Sequence, residues 1–167
     1  MFGLTELGLF HTLISLIAVA AGVVSFVRDK QIIAATIAGK VYIVMTIVSC
    51  ITGFGIFEHG GFGKAHVLGL ITLLTLALAA WVTRSSLPPR WSGGVQTVAY
   101  SATFFFHLIP GVTETTTRLP QGAPLFPNAD APGLQMTLGV LAIVFLIAVT
   151  LQVIWLGKRG IAQITPV

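Results

Sequence analysis

The chain has 167 residues, 55% of them hydrophobic and 8% charged, against the roughly one quarter charged that a water-soluble domain carries. That balance excludes an ordinary soluble fold, and a single cysteine, Cys50, excludes a disulfide framework. The formal net charge of +4 comes from nine basic residues placed singly or in pairs at the ends of apolar runs, a pattern of membrane topology and not a nucleic-acid footprint.

Crossing a hydrocarbon core of about 30 Å takes roughly 20 apolar residues. Runs of that kind predict helices over 4–27, 38–57, 65–83, 93–112 and 134–156. The expected fold is therefore all-α: one domain, 1–167, forming a polytopic transmembrane bundle of about five helices. The first run has no basic stretch before it and no small-residue cleavage site after it, so it reads as a retained helix and not as a signal peptide.

Polar side chains inside lipid are costly unless they face other helices, so helical spacing of polar and small residues marks the inward face. Helix one aligns Gly8, His11, Ser15, Ala18 and Gly22, and helix two aligns Gly39, Tyr42, Thr46, Ser49 and Gly53, at steps of three and four. Helix three places His66 with Gly69 and Ala77. Helix four, the least apolar, aligns Gln96, Tyr100, Thr103 and His107, the most informative stripe in the chain. Pro110 and Gly111 are expected to end that helix, and the Pro-rich stretch from Thr113 to Pro132 to form an outer loop. Helix five offers the weaker set Gln135, Gly139 and Ala142 and is expected to close the bundle.

Alternating the five runs puts Arg28, Lys30, Lys40, Arg84, Arg90, Lys158 and Arg159 on one side and only Lys64 and Arg118 on the other. The positive-inside rule then predicts an outer N-terminus and a cytoplasmic C-terminus. All four histidines fall near the outer side: His11, His59, His66 and His107. Imidazole ligates transition metals and haem iron, and either use requires histidines from different helices to meet. A b-type haem would take His107 with His11 or His66, with Tyr100 nearby and the run Phe104, Phe105 and Phe106 walling the macrocycle. A bare metal ion would take three of His11, His59, His66 and His107, with Glu58 or Glu114. Set against these are hydrogen bonds between helices for the histidines and tyrosines, and plain packing for the phenylalanines.

The segments Gly39-Lys40-Val41-Tyr42, Thr52-Gly53 and Gly61-Phe62-Gly63 followed by His66 resemble a family of small bacterial inner-membrane proteins catalogued as a domain of unknown function. The resemblance covers helices two and three and implies a bacterial inner membrane, with no activity attached. Three functions follow as expectations: a redox protein with one haem or metal near the outer face, a small transporter or channel using the helix-four stripe, or a non-catalytic subunit or scaffold packed against a membrane-protein partner or a second copy. Nucleotide, phosphoryl-transfer and acyl-transfer signatures are absent from the sequence.

Overall fold

The computed structural model describes residues 5–57 and 61–158. Its elements are five helices, with no strand among the described residues: α1 (Glu6–Asp29), α2 (Ile37–Gly53), α3 (Lys64–Arg84), α4 (Pro89–Arg118) and α5 (Pro132–Lys158). By length and composition α1, α3 and α5 are able to cross a membrane, while α2 is a shorter apolar helix of 17 residues. The 30 residues of α4 span about 45 Å at 1.5 Å per residue. The polar stripe and the charged Arg90, Glu114 and Arg118 together lower its apolarity.

The ends are written locally. Thr5 and Thr36 accept the amides of Gly8 and Gly39, each at 3.1 Å, and so satisfy one of the unpaired donors that open a helix. Lys30 closes α1 in the left-handed region at φ 60°, and Pro89 opens α4, where its missing N–H costs nothing. The helices pair as hairpins, α1 with α2 and α3 with α4. Contacts from α2 to α3 and from α1 to α4 join the hairpins, and α5 lies on α4. The shared core contains Ala18, Tyr42, Leu76, Ala79, Ala99 and Tyr100. At the α1–α4 crossing the edge of Phe104 fills the space over Gly22, where a Cβ would lie 2.6 Å from the ring.

The stripes expected on α1 and α2 are the packed faces: Gly8, Ala18 and Gly22 are buried on α1, and Gly39, Tyr42, Thr46 and Ser49 on α2. Other expectations are corrected. Helix two ends at Gly53, four residues early, where the Phe54 amide closes the last turn on the Cys50 carbonyl. Ala77 is exposed, and α3 buries Thr72, Leu76, Ala79 and Val82 instead. On α5, Gln135 and Gly139 are exposed, and the buried residues are Leu134, Val149 and Leu156. Helix five packs through large side chains, with Phe145 stacked on Phe105 at 4.6 Å, so small residues do not mark its contact face.

Pro110 does not end α4. The helix runs on to Arg118, so the connection to α5 begins at 119 and not at 113. Proline removes one donor, whereas unwinding would strand several backbone groups in an apolar medium. Beyond it, Thr116 and Thr117 donate to the Val112 and Thr113 carbonyls, and Arg118 pairs with Glu114 one turn earlier. The connection folds back on this end through the Phe126 amide, which donates to the Thr116 carbonyl at 3.0 Å. An exposed ion pair, Lys64 to Asp130 at 2.7 Å, ties the start of α3 to the same connection. The ammonium group holds the Asp130 carboxyl below its ordinary range, by hydrogen bonding first and charge second.

Candidate functional site

The polar residues of α1, α2 and α4 meet in a ladder of hydrogen bonds between helices. From the basic end it begins with Thr97 donating to Gln31 at 3.0 Å. Tyr42 pairs with Thr103 at 2.8 Å, Thr46 with His107 Nε2 at 3.0 Å, Ser15 with Ser49 at 2.7 Å, and Thr52 with His11 Nδ1 at 3.1 Å. On α2 the ladder uses Tyr42, Thr46, Ser49 and Thr52, a rise of about 15 Å at 1.5 Å per residue. Two flanking bonds, Gln96 to Thr83 at 2.7 Å and Ser101 to Gln152 at 2.8 Å, extend it to α3 and α5.

The hydroxyl hydrogens are directed, which fixes several proton positions. Thr103 donates to the Tyr100 carbonyl, so the Tyr42 hydroxyl is the donor in their bond. Ser15 donates to the His11 carbonyl, so Ser49 donates to Ser15. Thr52 donates back to the carbonyls of Val48 and Ser49, at 2.9 and 3.0 Å, so it accepts from His11 Nδ1–H. In its neutral form His11 therefore keeps the lone pair on Nε2.

Among the described residues, His11, His66 and His107 do not group as a set of three. His11 and His107 lie on different helices, are each tethered to α2, and interact electrostatically with one another. His66 has a different role. Its Nδ1 accepts the Gly63 amide at 3.1 Å, closing the first turn of α3. The ring is stacked on Phe57 and Phe62, with centroids at 5.0 and 4.9 Å, and Phe54 lies beyond at 6.4 Å. Because Nδ1 accepts a hydrogen bond, the neutral ring carries its proton on Nε2, which is buried without a partner among the described residues. In this tautomer the single lone pair of His66 is spent on the helix cap. His59 and Glu58 lie outside the described residues. Among the described residues no three His, Cys, Asp or Glu side chains group closely enough to hold a metal ion.

Phe104 and Phe105 both border the groove between α4 and α5, each packed on a different neighbour. Phe104 turns to Phe26 at 5.1 Å, edge to face, and toward Tyr42, whereas Phe105 stacks on α5. Successive residues on a helix differ by 100°, so three in a row face three directions. Tyr100 is buried in the apolar core, about 10 Å along α4 from His107. Its carbonyl, not its ring, enters the ladder. The partners Gln31 and Gln152 were not found by spacing. Gln31 lies between helices, and Gln152 sits in an apolar run where its only mark was being polar. Compared with known proteins, the chain matches no family model, no curated protein and no solved structure.

Proposed function

We propose that this chain is a small multi-pass protein of a bacterial inner membrane, with its basic end cytoplasmic and its histidine end outside, serving as a non-catalytic subunit packed against a larger membrane protein. The observation that supports this reading is the ladder. Imidazole and hydroxyl groups of α1, α2 and α4 are spent on one another across helices, as suits groups whose task is to hold helices in register, each bond contributing about 0.6 kcal/mol in lipid. Large apolar side chains such as Leu16, Ile51, Val140 and Ile147 face outward, where lipid or a partner covers them. A transport route along α4 has less support, because Thr103 and His107 are engaged with α2. The bacterial inner membrane rests on the resemblance of helices two and three.

Native membranes extracted in mild detergent provide the test. The expected result is a complex whose protein mass exceeds 17.6 kDa by that of a second, larger polypeptide. A lone monomer that survives gentle extraction overturns the reading.

A second reading keeps His11 and His107 as ligands of a haem iron or metal ion, favoured by the Nε2 lone pair that His11 keeps and by the tethering of both rings to α2. An absorption spectrum of purified protein, oxidised and then reduced with dithionite, checks it together with elemental analysis. A Soret band or stoichiometric metal that disappears in His107→Ala supports this reading; a colourless, metal-free protein removes it.

A further inference from the structure

Helix five touches the bundle through α4 and reaches the α1–α2 connection through Gln152, whose side-chain amide donates to the Lys30 carbonyl at 2.7 Å. Between α5, α4 and the end of α1 lies a groove of about 880 Å3, within the ~300–1,000 Å3 that bound small molecules occupy. Its lining is sorted along its length. From Leu141 through Phe145 to Val149 it is apolar, Ser101 and Gln152 follow, and at the far end stand Trp155, Lys30 and Lys158. From Leu141 to Lys158 the helix rises about 25 Å, enough for one leaflet's hydrocarbon, about 15 Å, and the headgroup layer beyond it. No carboxylate lines the groove among the described residues.

We infer that this groove is a binding site for a phospholipid with an anionic headgroup, its acyl chain lying along α4 and α5 and its phosphate held between Lys30 and Lys158. The charge pattern selects this occupant. An apolar trough alone would accept any lipid tail, but two ammonium groups at one end, beside an indole at headgroup depth, place cationic donors where a lipid phosphate sits. Lys30 donates to the Val27 carbonyl at 2.8 Å, which holds its head at the rim while two further N–H groups remain to donate. A parallel second copy fits less well, since the same end carries Arg28, Arg84 and Arg90 and would bring like charge to the lysines. The inference is independent of the partner proposed above.

Native mass spectrometry of delipidated full-length protein, titrated with phosphatidylglycerol or with phosphatidylcholine of the same chains, is the test. One phosphatidylglycerol is expected to bind at least tenfold more tightly than phosphatidylcholine. Lys30→Gln with Lys158→Gln should reduce that preference below threefold. Ala148→Trp, which fills the apolar stretch, should weaken both lipids, and helicity by circular dichroism reports whether each variant is folded. Equal affinity of the folded wild type for the two lipids overturns the inference, as does an undiminished preference in the folded double variant. Competition by inorganic phosphate as strong as by the lipid would mean that the groove contributes nothing, and a dimer displacing the lipid adduct would assign it to a second copy; either result overturns it too.

Discussion

Gly39→Ala is expected to lower the apparent melting midpoint in detergent by roughly 10 °C, the consequence of losing about 3 kcal/mol in a chain of this size. A Cβ built on Gly39 falls 1.9 Å from the Ile33 carbonyl oxygen and 2.7 Å from its carbon. Those are backbone atoms, and they have little freedom to move: the same carbonyl accepts the Thr36 amide at 3.1 Å and the Thr36 hydroxyl at 2.9 Å, while Thr36 caps α2. Relieving the clash must displace the turn, the cap and the α1–α2 pairing together. Gly139→Ala is the matching control, because nothing lies within 4 Å of its added methyl group, and its midpoint should stay within about 2 °C of wild type or rise through the better helix propensity of alanine. Thermal unfolding of both variants followed by circular dichroism decides; equal midpoints would mean that the turn yields freely.

Tyr42→Ala is expected to cost about 3 kcal/mol and Tyr42→Phe about 1 kcal/mol or less. Tyr42 is fully buried and, among the described residues, is the bulkiest side chain so enclosed. Its ring lies against Phe104 and His107, with centroids at 6.4 and 6.2 Å, and touches the surface over Gly22. In lipid, truncation forfeits packing more than it exposes apolar surface to water, so the cavity dominates and the loss belongs at the low end of the range for aromatic truncations. Removing only the hydroxyl leaves Thr103 still donating to the Tyr100 carbonyl, so no donor is orphaned. Comparing the two variants in a reversible detergent-unfolding assay separates shape from hydrogen bonding. A phenylalanine variant as damaged as the alanine one would assign the ladder, and not the packing, the larger share of stability.

The residues legible in advance were those whose role is local or periodic. On α2, where the helix is short and its polar and small residues recur every three or four positions, the inward stripe chosen from spacing is the buried face. On α5, where almost every residue is apolar, spacing had nothing to discriminate, and the contact face is decided by which large side chains interlock with α4. Pro110 illustrates a local rule overruled: the helix break that proline favours in water gives way where the alternative is unpaired backbone.

For the candidate site the division is sharper. The sequence by itself determined an all-α chain whose helices include three long and apolar enough to cross a membrane, because hydrophobicity and helical pitch are written residue by residue. Which groups meet was decided by tertiary structure alone. His11 and His107 are each held by a threonine of α2, whereas His66 is turned into a helix cap and stacked on phenylalanines that its sequence position did not specify. The groove that brings Lys30 beside Lys158 likewise depends on how α5 leans against α4 and the end of α1. Contacts between residues far apart in the chain depend on how helices dock, and docking is set by the shapes of whole faces, which no single stretch of sequence contains.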